Sequence, residues 1–236
     1  MEIKVLASSS KGNCYTVSDG TTKLLIECGL PWKEIQRRTR FAVDHAGCLV
    51  THEHKDHCKA AQDVMFAGID VYSTWGTFNA AHLGGRRSNV VQPLEPFTVG
   101  TWAILPFPTV HDCAEPLGFL LASKNGIKCL FATDTMYLRY KFSGLTHIML
   151  ETNYSMDILR QNVARGRVDA AVKNRVVRSH MSLETAKDFL RANDLHRVEA
   201  IWLIHLSDDN SDAERFRREI MAATGKPVYV AGEKEE

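Results

Sequence analysis

The chain has 236 residues, 44% of them hydrophobic and 24% charged, which excludes a disordered tail, a collagen-like fibre and a small disulfide scaffold. With 29 Lys and Arg against 28 Asp and Glu, the formal net charge is +1. The molecule as a whole is therefore no magnet for polyanions, and any such contact must come from a local patch.

The chain opens on an expected strand at 2–7, followed by Ser8-Ser9-Ser10-Lys11-Gly12-Asn13. The segment 1–8 has no apolar core of the signal-peptide kind. Strands at 14–18 and 23–27 flank Asp19-Gly20, a hairpin signal. Pro31 opens a short amphipathic helix to about Arg40. Residues 47–51 read as a buried strand and 56–66 as a helix. Short strands are expected at 70–73, 88–92, 102–109, 117–123, 127–132 and 146–150, then an irregular stretch to about 180. A helix at 183–193, a strand at 199–204, a helix opened by the capping box Ser211-x-x-Glu214 and a strand at Val228-Tyr229-Val230 complete the chain. The charged tail Glu233-Lys234-Glu235-Glu236 reads as frayed. Interspersed strands and helices without repeats, linkers or composition shifts point to one α/β domain over 1–236, with sheets covered by helices. No apolar run approaches 18 residues, and six cysteines at 14, 28, 48, 58, 113 and 129 form no C-x-x-C pair. A cytoplasmic protein with reduced thiols and no membrane contact is expected.

The chemistry centres on Thr51-His52-Glu53-His54-Lys55-Asp56-His57, between an expected strand and an expected helix. Residues 52 and 54 point to the same side of an extended strand end, and 56 and 57 lie where the chain turns into the helix. Four ligand-type side chains within six residues can converge on one point. Imidazole with carboxylate suits Zn, Mn, Fe or Ni better than Ca or Mg. Further ligand types end later strands, at His111, Asp134 and His205. Together they complete a dinuclear set, and two metals roughly 3.5–4 Å apart can share a bridging hydroxide near neutral pH.

H-x-H-x-D-H after a strand, followed by single His, Asp and His at later strand ends, resembles the metallo-β-lactamase superfamily over essentially the whole chain. The resemblance implies a four-layer αββα sandwich holding two divalent ions, Mn or Zn. His52, His54 and His111 would bind one ion and Asp56, His57 and His205 the other, with Asp134 bridging. One departure is visible in Leu24-Leu25-Ile26-Glu27-Cys28-Gly29: Glu27 stands where the family usually has Asp behind the ligands.

The superfamily hydrolyses lactams, thioesters, lactones and phosphodiesters, so further motifs must choose the reaction. Arg178-Ser179-His180-Met181-Ser182 resembles the extra histidine motif of the phosphodiesterase branches, where the histidine contacts the phosphate; it also reads as a helix start capped by Ser182. Arg160, Arg165, Arg167, Lys173, Arg175 and Arg178 stand against Asp169 alone over 160–178, which reads equally as a phosphate-binding patch and as a solvated loop. Ser8 through Tyr15, and Leu150-Glu151-Thr152-Asn153-Tyr154, are similar to the YycJ/WalJ-type branch. That resemblance implies DNA exonuclease action and, from phage relatives, a single-strand annealing recombinase as partner. Only 70 residues separate Asp134 from His205, too few for the large second domain of RNA-processing relatives.

The expected activity is a metal-dependent phosphodiesterase, foremost a DNA exonuclease. Asp56 orients the nucleophile, Asp134 and His180 serve catalysis, and Asn13, Asn153 and Arg178 are the substrate contacts. A small-molecule cyclic phosphodiesterase is the alternative, ahead of a thioester or lactone hydrolase and a non-catalytic recombination partner. A homo-oligomer would suit a processive enzyme. Cys58 and Cys113 read as metal thiolates or as buried packing. Trp102 and Trp202 fit strand patterns and the core, whereas Trp32 and Trp75 are the candidates for stacking on bases.

Overall fold

A computed structural model describes residues 1–42 and 44–232. The charged tail 233–236 lies outside the described residues. The chain divides into two compact units: Met1–Pro108 with Cys113–Ile127, and Thr109–Asp112 with the residues from Lys128 onward.

The first unit holds β1 (Glu2–Ala7), β2 (Cys14–Ser18), β3 (Lys23–Ile26), α1 (Trp32–Arg38), β4 (His45–Leu49), α2 (Lys55–Cys58), α3 (Ala61–Phe66), β5 (Val71–Ser73), α4 (Trp75–Ala80), β6 (Ser88–Val90), β7 (Phe97–Val99), β8 (Trp102–Pro108) and β9 (Leu117–Ser123). β1 to β6 lie side by side in chain order. The first three pair antiparallel and the rest parallel. Leu24-Leu25-Ile26 and Cys48-Leu49-Val50 are buried throughout, the continuous apolar pattern of parallel strands covered on both faces. On one face Leu25, Cys48 and Val71 join Ile35, Val64, Met65 and Phe78 of the helices in one core cluster. On the other, the antiparallel β7-β8-β9 sheet packs through Trp102, whose Nε1 donates to Thr22 O at 3.0 Å, and through Phe97 stacked on Tyr72.

The expected helix at 56–66 is broken into α2 and α3. An uninterrupted helix would bond Ala60 N–H to Asp56 C=O. Here the Asp56 carbonyl accepts from Asn13 N at 2.7 Å, and Ala60 N donates to Cys28 O at 2.9 Å. The helix gives up that bond to be tied to the loops after β1 and β3. Gly29 crosses so near that a Cβ there would lie 1.6 Å from the Asp56 carbonyl oxygen.

The second unit contains β10 (Lys128–Ala132), β11 (His147–Glu151), α5 (Met156–Ala164), α6 (Ala170–Ser179), α7 (Leu183–Ala192), β12 (Ala200–Ile204), α8 (Ala213–Thr224) and β13 (Val228–Val230). Its strands run parallel in the order β10-β11-β12-β13, and every residue of β11 is buried. α7 buries Leu183, Ala186, Phe189 and Leu190 on one face, the i, i+3, i+6, i+7 spacing of an amphipathic helix. α8 ends at Gly225 with φ 67°, a left-handed C-cap that glycine adopts without steric cost.

Two expectations are corrected here. The stretch before 180 is helical over α5 and α6 rather than irregular. Few of its residues are buried (Leu159 and Asn162 in α5, Ser179 in α6), so little apolar periodicity shows in the sequence. α6 is started by Asp169, whose carboxylate accepts from Ala171 N at 2.7 Å. α8 is capped by Asp212, which accepts from Arg215 N, while Ser211 donates to Ser207 O. The six-residue α4 and three-residue β7 are too short to carry a readable period.

Candidate metal centre

In the first unit the ligand-type side chains follow β4 and occupy α2. Thr51 Oγ1 donates to the Glu27 carboxylate and lies 2.8 Å from His52 Nδ1. Its single proton being committed to Glu27, it must accept from His52, which places the imidazole proton on Nδ1 and leaves Nε2 with its lone pair. That Nε2 is 3.1 Å from His54 Nδ1. The same carboxylate stands 3.4 Å from His57 Nδ1, and His57 Nε2 lies 3.3 Å from Asp56 Oδ2. The His52 and His57 rings are 4.2 Å apart. Glu27 thus supports two histidines at once, one directly and one through Thr51. It is fully buried, and burial raises its pKa despite His57 and Thr51 acting the other way. Its backbone is left-handed, with φ 61°.

Thr51→Val keeps the shape and removes the hydroxyl. It should weaken divalent-metal affinity roughly 10- to 100-fold, read by competition with a chelating dye. Unchanged affinity would show that His52 needs no orienting partner.

In the second unit His111 donates from Nδ1 to Ser179 O at 2.8 Å, which leaves its Nε2 with the lone pair, 3.5 Å from Asp134 Oδ2. Asp134 Oδ1 is 3.0 Å from His205 Nδ1. Glu151 closes the group: Oε1 meets His180 Nδ1 at 2.7 Å and His205 Nδ1 at 3.1 Å, and Oε2 accepts from Thr135 N and Met181 N. Ligand atoms of Asp134, Glu151, His180 and His205 all lie within 4.8 Å of one another. Asp134 and His205 also sit in left-handed backbone, with φ 44° and 54°.

Burial raises the pKa of Glu151, but the His180 charge and the hydrogen bonds from His180 and His205 outweigh it, and the carboxyl stays below its usual range. Burial lowers that of His180, and Glu151 overturns this, so the imidazole is held above its usual value. Burial lowers His111, which favours the neutral ligand form. Two nearly water-free carboxylates, Asp134 at 3% and Glu151 at 0% exposure, face imidazoles whose lone pairs are aimed by hydrogen bonds. This donor set fits a divalent cation, which neutralises the carboxylates and takes neutral imidazole nitrogens.

A β-lactamase superfamily domain model matches residues 22–206. The chain belongs to the β-lactamase superfamily. Within it the chain falls in the YycJ/WalJ-type branch. It is 30% identical to the exodeoxyribonuclease YycJ of Bacillus anthracis, over 99% of this chain and 92% of that protein. It is 28% identical to the exodeoxyribonuclease WalJ of Streptococcus pneumoniae, over 89% and 83%. The metallo-β-lactamase fold protein YhfI from Bacillus subtilis matches at a TM-score of 0.75 and 16% identity, covering 97% of this chain and 95% of that one. The superfamily's αββα sandwich is therefore the fold class of this chain, as its sequence leads one to expect.

The residues expected to touch substrate are placed differently. Asn13 is fully buried: its amide nitrogen bonds Ser9 O and His57 Nε2, and its Oδ1 accepts from Ser9 N and Tyr15 Oη. Asn153 is buried too and donates to His205 O at 2.8 Å. Both hold ligand loops in place, a correction to their expected role as substrate contacts. Arg178 is exposed on the last turn of α6. His180 is both a site residue and the neighbour of a cap, since Ser182 accepts from Thr185 N. Glu151 enters the sequence reading only as part of a signature. Its charge at the end of a buried apolar strand is the signal that could single it out. Cys58 is buried and donates to Glu53 O, and burial pushes its thiol up to about 12, so it serves as packing.

Proposed function

We propose that this chain is a single-domain exodeoxyribonuclease. In this reading His52, His54 and His111 would hold one divalent ion and Asp56, His57 and His205 a second, with Asp134 serving both. The superfamily match spans all seven, and both relatives named above carry the exodeoxyribonuclease name. The observation that carries the reading lies in the second unit. α6 presents exposed Arg175 and Arg178, and the preceding α5 and turn present exposed Arg160, Arg165 and Arg167. The same helix ends by giving Ser179 O to His111 and leads directly into His180. A basic surface for a phosphate backbone is thereby joined to a histidine paired with a buried carboxylate that raises its pKa.

Divalent ions held by these residues would supply an activated water and neutralise charge on the phosphoryl group. Asp56 orients the attacking water by accepting its hydrogen bond. His180 holds Glu151 through Nδ1, so its Nε2–H is the proton offered to the departing oxygen. Glu151 fixes that imidazole and favours its charged form. Arg178 holds the neighbouring phosphate. All-nitrogen and oxygen donors accept Mn or Zn alike. Six cysteines outside any disulfide, five of them buried, suit a cytoplasmic location. A single-strand annealing recombinase is the partner we infer, supported by the resemblance of residues 8–15 and 150–154, and co-purification tests it.

The deciding experiment digests end-labelled duplex DNA, single-stranded DNA and RNA with Mn²⁺ or Zn²⁺, using wild type and His180→Ala. Progressive shortening of DNA, reduced roughly 10²- to 10⁴-fold in the variant, is expected. Turnover of bis-p-nitrophenyl phosphate without cleavage of any polymer would move the assignment to a small-molecule phosphodiesterase.

A further inference from the structure

Trp75 differs from the other three tryptophans. Trp102 is fully buried and hydrogen-bonded, Trp32 packs against the core cluster, and Trp202 stacks on Tyr229. Trp75 is 65% exposed and has no ring or hydrogen-bond partner among the described residues. Its place in the fold is tied to the ligand histidines of its own unit. β4 and β5 are parallel neighbours with Leu49 opposite Tyr72. Three residues beyond that pair come His52 and Trp75, so the exposed indole lies just past the end of β5 as His52 lies just past the end of β4, at the same edge of the sheet.

The segment carrying it is fixed. Thr74 caps α4 by accepting from Thr77 N, which makes Trp75 the first helical residue. The Glu115 carboxylate accepts from Gly76 N at 2.9 Å, and Thr74 Oγ1 meets Glu115 O at 3.0 Å. Gly76 permits this approach, since a Cβ there would lie 2.6 Å from Glu115 Cβ. The next residue back, Ala114, donates from its N–H to Glu53 Oε1 at 2.7 Å, and Glu53 stands between His52 and His54. An unbroken run of contacts therefore links the indole's helix to the ligand loop, and exposed Lys55 follows His54 immediately.

We propose that Trp75 is a binding residue of the nuclease, a platform on which one unpaired base of the DNA stacks while its phosphate is held at the neighbouring histidines. The proposal rests on the nuclease reading above. A flat aromatic face on an anchored helix start suits every base equally, as an enzyme that shortens DNA without regard to sequence requires. With only two side-chain torsions, it also loses little conformational freedom on binding.

The test measures kcat and KM of wild type, Trp75→Ala and Trp75→Phe on labelled single-stranded DNA and on bis-p-nitrophenyl phosphate, then repeats the DNA assay with one abasic site moved along the strand. We expect Trp75→Ala to raise KM for DNA on the order of tenfold, with kcat nearly unchanged and the small substrate unaffected. Trp75→Phe should retain most of the affinity. One abasic position should reproduce the loss in wild type and add nothing in Trp75→Ala. A DNA KM equal to wild type in Trp75→Ala, or an equal loss on both substrates, overturns the proposal while leaving the nuclease reading intact. Wild type that turns over the small substrate and cuts no DNA overturns both.

Discussion

Asp134→Ala should reduce DNA cleavage by at least about 10³-fold and lower the bound metal together with it. The expectation follows from how much converges on this one carboxylate. It lies 3.0 Å from His205, 3.5 Å from His111 and 3.1 Å from Thr133 Oγ1, and it is 3% exposed. Its removal leaves the imidazoles without the charge that draws a cation between them, and no water-exposed group replaces it. Transition-state charge stabilisation by such preorganised groups is commonly the largest single contribution to catalysis. The check has two readouts: metal per chain by elemental analysis after dialysis, and rate on DNA. Full metal content with lost activity would assign Asp134 to proton handling instead. Unchanged activity would remove it from the site altogether.

The second large effect is expected at a residue with no side chain. Gly29→Ala would set a methyl group 1.6 Å from the Asp56 carbonyl oxygen and 2.8 Å from His57 N. Neither is the yielding tip of a side chain. Both belong to backbone held by Asn13 N, and by Cys28 N through the His57 carbonyl at 2.8 Å. The α2 segment must move, carrying Asp56 and His57 with it. Overpacking of this kind typically destabilises by ~1–3 kcal/mol, and displacement of ligands by about 1 Å can cost on the order of 10²-fold in rate. Thermal unfolding and DNA cleavage should therefore both fall. A variant with normal melting and normal activity would mean that the loop after β3 can withdraw freely.

Much of the site is legible from the residues. His52, His54, Asp56 and His57 announce themselves because four ligand types in six residues have few other uses. His111, Asp134 and His205 are readable because each closes a clear strand pattern. Glu27 stands out because it interrupts an apolar run, and the structure shows why a charge is needed there, since it reaches His57 and Thr51 together. What the sequence does not disclose lies where burial is sparse or contacts are distant. α5 and α6 bury too few side chains to print a 3.6-residue period. The break between α2 and α3 depends on Asn13 and Cys28, which are remote in sequence and compete for the helix's own bonds. Asn13 and Asn153 read as facing substrate because polar residues in loops usually do, yet both are consumed by groups behind the ligands. Asp212 displaces Ser211 as a cap by one residue, a margin within which helix starts are seldom decided by sequence.

Glu27, Asp134 and His205 share a backbone that side-chain-bearing residues rarely adopt, with φ of 61°, 44° and 54°. A left-handed residue other than glycine or asparagine costs roughly 1–2 kcal/mol, a notable fraction of a domain's net stability. Glycine at any one of the three would remove the backbone cost and, in the same step, the carboxylate or imidazole that reaches its partners there, so a substitution that relaxes the chain at these positions dismantles the site.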